Sequence, residues 1–232
     1  MQRRRRIALK IESLSAERDG RPVVRDLDLI VRAGERCAVI EPAAGRRATL
    51  AHVLADGPGC RITGGRIVVH GADVTGLDAQ ARARKGLLLL RQPPAGVPGE
   101  TIASWLRASL AAAHGRALAP ASFRRRLRDQ LDLLGMDSHF AGRTLAQFAP
   151  RDAKRFDLLH TAILKPHVAV FDETASGLDV DAWRALGDGL RVLGGHTAVV
   201  LCVLDRAGLA FVKPDDVFEM VDGALSATGR LV

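Results

Sequence analysis

Residues 167–179 read His167-Val168-Ala169-Val170-Phe171-Asp172-Glu173-Thr174-Ala175-Ser176-Gly177-Leu178-Asp179. Four apolar residues in succession fit a short strand buried on both faces, as in a parallel sheet. Asp172 and Glu173 follow at its carboxyl end. In open α/β sheets that edge is where ligands bind. An acidic turn after a strand is common by itself. The Ser176-Gly177-Leu178-Asp179 run just beyond it makes the composite specific.

Working outward, residues 7–14 and 23–31 alternate apolar and polar, as half-buried strands do, with a turn at Gly20-Arg21-Pro22 between them. A second turn, Ala33-Gly34-Glu35, leads into the buried run 36–40. The stretch Val39-Ile40-Glu41-Pro42-Ala43-Ala44-Gly45-Arg46-Arg47-Ala48-Thr49-Leu50 then passes from strand to loop to a helix expected over 51–54. That is the context of a phosphate-binding loop. Further strands are expected at 65–69, 87–90 and 198–203, with a closing hairpin of 216–221 and 225–228. Helical spacing marks 101–113, 152–164 and 182–193. Ser122 is the expected N-cap of another helix, whose face is Phe123, Leu127, Leu131 and Leu134. The neighbouring Arg124, Arg125 and Arg126 read as a solvated surface. Strands alternating with helices give an α/β fold with a mainly parallel sheet, an N-terminal antiparallel portion, and a helical insert over about 95–150.

Composition narrows the function classes. No apolar run approaches the about 20 residues of a membrane span, so membrane insertion is not expected. No signal peptide is read from the basic start, Met1 to Lys10. Cys37, Cys60 and Cys202 lie far apart without paired spacing, as reduced thiols of a cytoplasmic protein would. The net charge of +8 is arginine-rich and scattered. With 4% aromatics and no Tyr there is little to stack on bases, so nucleic-acid binding is not expected. The seven histidines show no metal-ligand spacing with a cysteine.

The run Val170-Phe171-Asp172-Glu173-Thr174-Ala175-Ser176-Gly177-Leu178-Asp179 resembles the Walker B and D-loop segments of ABC-type ATPases. More narrowly it is similar to the SufC-type ATPase of the Suf iron–sulfur cluster assembly system, with its pattern L-D-E-T-D-S-G-L-D. Two further stretches carry the narrower resemblance. Residues 91–99, Arg91-Gln92-Pro93-Pro94-Ala95-Gly96-Val97-Pro98-Gly99, look like F-Q-Y-P-V-E-I-P-G, and Leu133-Leu134-Gly135-Met136-Asp137 matches L-L-G-M-D. The resemblance implies a P-loop ABC-ATPase fold over 1–232 as a single domain, with ATP and Mg²⁺ as cofactors. It implies that Asp172 and Gln92 hold the Mg²⁺ and that Glu173 is the general base. Arg46, Arg47, Thr49 and Asp179 would contact nucleotide. It also implies a head-to-tail dimer, with Suf-type scaffold proteins or another ABC-type subunit as partners.

The same resemblance exposes departures. Against G-P-N-G-S-G-K-S-T, Glu41 stands for the first glycine, Arg46 for the last, Arg47 for the lysine and Ala48 for the metal-ligating hydroxyl. Glycines let backbone N–H groups converge on phosphate, and a carboxylate at that edge repels it. The signature F-S-G-G-E-K-K-R appears as Phe148-Ala149-Pro150-Arg151-Asp152-Ala153-Lys154-Arg155, where Pro150 has no N–H to donate. The switch histidine falls at Leu204. The expectation is an ABC-ATPase fold with weak or absent ATP binding and hydrolysis, serving as a binding or regulatory subunit in iron–sulfur assembly. The alternatives are an active SufC-type ATPase, or an ABC transporter ATP-binding subunit.

Overall fold

The computed structural model describes residues 5–42, 49–91, 99–145, 150–173 and 178–227. They fall into two compact units.

The first unit takes Met1–Arg91, Pro166–Gly177 and Gly195–Val232, and holds both sheets. Strands β1 (Ile7–Arg18) and β2 (Arg21–Arg32) form an antiparallel hairpin. Its two-residue turn is Asp19-Gly20, both at positive φ (50° and 75°), the geometry that matches strand twist. The turn therefore falls one residue before the expected 20–22, and Pro22 lies inside β2. A proline is tolerated there because β2 is the edge of its sheet. Strand β3 (Arg36–Ile40) belongs to the other sheet. Strands β4 (Cys60–Val69) and β5 (Ala72–Asp73) complete the first, in the order β2-β1-β4-β5, all antiparallel. Register slips between Glu12 and Ser15 opposite β4. Gly65 fills that bulge at φ 74°, where a Cβ would sit 2.2 Å from the Ser13 carbonyl oxygen. Only glycine fits there.

The second sheet runs β10-β9-β3-β8-β7-β6. It uses β6 (Leu87–Leu90), β7 (Val168–Asp172), β8 (Ala198–Val203), β9 (Asp216–Val221) and β10 (Ala224–Ala227). All neighbours are parallel except β10, which returns antiparallel on β9. The continuous apolar runs of β3, β7 and β8 are buried along almost their whole length, as strands covered on both faces must be. Helix α1 (Thr49–Leu54) is the next described element after β3 and buries Leu50, Ala51, Val53 and Leu54 in the same core. Each of the two leucines and Val53 contributes about 1.5–3 kcal/mol.

Helix α2 (Ala79–Arg84) was not anticipated, and neither was its buried Arg82. The Arg82 guanidinium donates to the carbonyls of Val53 (2.7 Å) and Leu54 (2.9 Å) at the end of α1. It also donates to those of Val74 and Thr75. A cation on the last carbonyls of a helix satisfies groups that have no intrahelical partner.

The second unit takes Gln92–Lys165 and Leu178–Gly194 and is helical. Helix α3 (Ile102–His114) is capped by Thr101, whose hydroxyl accepts from the Ser104 N–H. Helix α4 (Pro120–Leu133) begins two residues before Ser122, with Pro120 in its first turn and no side-chain cap. The expectation for Ser122 fails because proline pre-sets the helical φ at that position. Phe123, Leu127 and Leu131 are buried as expected. Arg126 is not wholly solvated: it is half-buried and donates to the Ile163 carbonyl. A 3₁₀ turn, Ser138–Gly142, precedes α5 (Pro150–Leu164), and α6 (Val180–Val192) packs on α5. The approach is close at Gly189, where a Cβ would lie 2.3 Å from Leu158 Cδ1. The last helix, α7 (Leu209–Val212), lies in the first unit. Among the described residues no helix is long and apolar enough to cross a membrane.

Candidate functional site

Because β6, β7, β8 and β3 are parallel neighbours, their carboxyl ends share one edge. The residues that leave them are Arg91, Asp172 with Glu173, Leu204 and Glu41. Backbone bonds pin them: the Glu173 N–H donates to the Cys202 carbonyl (2.9 Å) and the Glu41 N–H to the Val203 carbonyl (2.8 Å). The sheet thus brings Asp172 and Glu173 to a ligand-binding edge.

Glu173 is 4% exposed. Asp172 retains 10% side-chain exposure and faces Arg91, Nε to Oδ2 at 3.7 Å. The register produces this contact. Leu90 lies opposite Phe171, so the next residue on each strand emerges side by side. A second guanidinium nitrogen of Arg91 lies 2.7 Å from His52 Nε2 on α1. Arginine only donates, so His52 Nε2 is the acceptor of this contact. Two unit charges about 4 Å apart attract by about 4 kcal/mol at an effective dielectric near 20, a gross figure before desolvation. Sequence reasoning missed the Arg91–His52 part of this cluster. Its signal was available, a guanidinium at the position where the similar pattern carries phenylalanine.

Glu41 is also buried, at 3% exposure. Its Oε1 accepts from the Leu50 N–H at the start of α1 (3.2 Å). A carboxylate therefore already engages a backbone donor beside the loop expected to hold phosphate. Leu204 is 39% exposed just beyond β8 and offers no hydrogen-bonding group.

Cys202 lies opposite Asp172 and is fully buried. Burial pushes its thiol well above the ordinary range, and the carboxylates of Glu41 and Asp172 push it further. Burial pushes Cys37 up as well, with Asp216, Glu35 and Asp215 adding to it. Both thiols are poor nucleophiles in this setting.

In the second unit, Asp179 is the N-cap of α6. Its Oδ1 accepts from the Ala182 N–H at 2.8 Å. This gives Asp179 a structural role regardless of any nucleotide. Asp179→Ala lowers stability by about 1 kcal/mol, read as a shifted urea midpoint. Helix α5 starts at Pro150, so its first residue has no N–H for an anion. Of the other expected site residues, Arg46, Arg47 and Gln92 lie outside the described residues, as do Phe148 and Ala149. Thr49 opens α1, and its side chain lies outside the description.

No model of a known protein family matches the chain. Individual relatives do. The "Probable ATP-dependent transporter ycf16" of Cyanophora paradoxa is 30% identical over 229 residues, covering 95% of this chain and 88% of that protein. A "Probable ABC transporter ATP-binding protein" of Streptococcus pyogenes serotype M3 is 31% identical over 228 residues, with the same coverages. Among solved structures, an ATP-binding cassette dimer in a post-hydrolysis state, bound to ADP and Pi, superposes with TM-score 0.77 at 16% identity. It covers 97% of this chain and 99% of that one. The ATP-binding subunit of an ABC transporter superposes with TM-score 0.73 at 23% identity, covering 97% and 90%. The structures speak for the fold, a P-loop α/β cassette with one antiparallel and one mainly parallel sheet. The sequence relatives, matched over nearly the whole chain, carry the kinship: this chain belongs to the ABC-type ATPases, the family of ABC transporter ATP-binding proteins.

Proposed function

We propose that the chain is a SufC-like ABC-ATPase-fold protein associated with iron–sulfur cluster assembly, acting as a cytoplasmic binding or regulatory subunit with weak or no ATP turnover. It works as one ABC-ATPase-like domain over 1–232, with a helical subdomain over about 95–150. Its partners are Suf-type scaffold proteins or another ABC-type subunit, met through the head-to-tail pairing of such cassettes.

The observation that carries this reading is Glu41. A buried carboxylate stands where a phosphate loop needs glycine, and it accepts the Leu50 N–H at 3.2 Å. A phosphate brought to this loop meets a like charge in a poorly solvated place. Three further features point the same way: Arg91 against Asp172, Leu204 at the switch position, and Pro150 at the head of α5. Ala48 brings no hydroxyl to a metal, and Arg46 replaces a glycine. The residues present therefore do not fit Mg-ATP as the family pattern requires. The narrower link to SufC rests on residues 91–99 and Leu133-Leu134-Gly135-Met136-Asp137.

A second reading has its own support. The relatives' names speak of an ATP-dependent transporter and of an ABC transporter ATP-binding protein, and Asp172 and Glu173 both stand at the strand edge. An ABC transporter ATP-binding subunit, or an active SufC-type ATPase, would use Asp172 and Gln92 for Mg²⁺ and Glu173 as base. Arg46, Arg47, Thr49 and Asp179 would then hold the nucleotide. Calorimetric titration with Mg-ATP separates the readings. The proposal expects a dissociation constant weaker than about 1 mM, whereas micromolar binding favours the second.

A further inference from the structure

We propose that Arg91 is the resident cation of this edge: its guanidinium occupies, from within the chain, the place beside Asp172 that a divalent cation would take, and keeps the metal out. The inference rests on the reading of an impaired site given above. It adds a cause that acts independently of the phosphate loop.

The placement follows from the sheet. Leu90 pairs with Phe171, so Arg91 and Asp172 leave their strands side by side. Nε reaches Oδ2 at 3.7 Å, and a terminal nitrogen reaches His52 Nε2 at 2.7 Å. The guanidinium is therefore anchored on two elements, β7 and α1. His52 is itself held in position. It is 9% exposed, and a Cβ on Gly57 would lie 2.8 Å from its Cδ2, so only glycine at 57 leaves the ring its space. A divalent cation on the Asp172 carboxylate would meet a like charge, the guanidinium whose Nε lies 3.7 Å from Oδ2. In the similar pattern this position is phenylalanine, which leaves the carboxylate to the metal. Arg91 is thus a specificity-determining residue, one that selects against divalent cations.

The test uses the full-length protein and Mn²⁺ alone, with free Mn²⁺ followed by electron paramagnetic resonance. Arg91→Phe and Arg91→Gln bind Mn²⁺ about tenfold or more tighter than the unaltered protein, and adding Asp172→Asn abolishes the gain. Equal Mn²⁺ affinity in the unaltered protein and either folded variant overturns the proposal. Thermal melts report whether the variants fold, and Arg91→Gln stands in should the bulkier Phe be misaccommodated. Should neither fold, the unaltered protein decides. A Mn²⁺ dissociation constant below about 0.1 mM that Asp172→Asn removes overturns the assignment, and the lack of any such binding upholds it. An ATP titration on the same samples keeps the two claims apart. Tight ATP binding with Mn²⁺ gained only in the Arg91 variants sinks the functional reading and leaves Arg91 standing. Weak ATP binding with no Mn²⁺ gain does the reverse.

Discussion

Lys154→Met lowers the stability of the chain by about 3–5 kcal/mol. Lys154 and Asp157 sit one turn apart on α5 with Nζ to Oδ2 at 2.9 Å, at 4% and 1% exposure. Neither charge is solvated, so each depends on its chain partners for compensation. Replacing the lysine leaves Asp157 as a buried carboxylate without that ion pair. The double variant Lys154→Met/Asp157→Leu recovers most of the loss, because it removes both desolvated charges together. Urea unfolding of the two single variants and the double variant measures this, and the interaction energy falls out of the cycle. The loss is a large part of the about 5–15 kcal/mol that a protein of this kind has in total.

Acid weakens the helical unit through His160. This imidazole lies in α5 against Trp105 and Phe156, with Nε2 2.9 Å from the Ser109 hydroxyl. Burial pushes its pKa down to about 3. An unfolded histidine titrates near 6.5, so the unfolded chain takes up a proton that the folded chain refuses. The folded pKa is depressed, hence the stabilisation is complete above about pH 6.5 and is lost as pH falls toward 3. Between pH 6.5 and 4.5 the loss is about 2–3 kcal/mol, at about 1.4 kcal/mol per pH unit for one proton. His160→Gln keeps a hydrogen-bonding group for Ser109 but does not titrate. Its unfolding free energy therefore falls less over this window, by the share that belongs to His160.

The buried strands of the second sheet are legible in sequence because parallel pairing buries both faces and leaves continuous apolar runs. The run 198–203 coincides with β8, and 87–90 with β6. The antiparallel portion shows in the alternation of 7–14 and 23–31, though β1 and β2 run further, to Arg18 and from Arg21. What escaped is what distant partners create. Helix α2, Ala-Gln-Ala-Arg-Ala-Arg, offers no large apolar residue, and Arg82 is buried only because carbonyls of α1 and of Val74 and Thr75 converge on it. Asp172 and Glu173 were legible from the strand they end. The Arg91–His52–Asp172 cluster was not, because 39 residues separate His52 from Arg91 and only the folded chain unites them. Asp179 carries a signal of a different kind. Its position before a helical run is an N-cap signal, but the family resemblance assigned it to nucleotide alone.

The most direct measurement is phosphate release from Mg-ATP by the purified protein beside its Glu173→Gln variant. The account predicts equal rates, because a site with Glu41 at the phosphate loop and Arg91 on Asp172 does not assemble the reactants for Glu173 to act on. A rate in the unaltered protein that drops about tenfold or more in Glu173→Gln would contradict it, showing Glu173 at work as a general base.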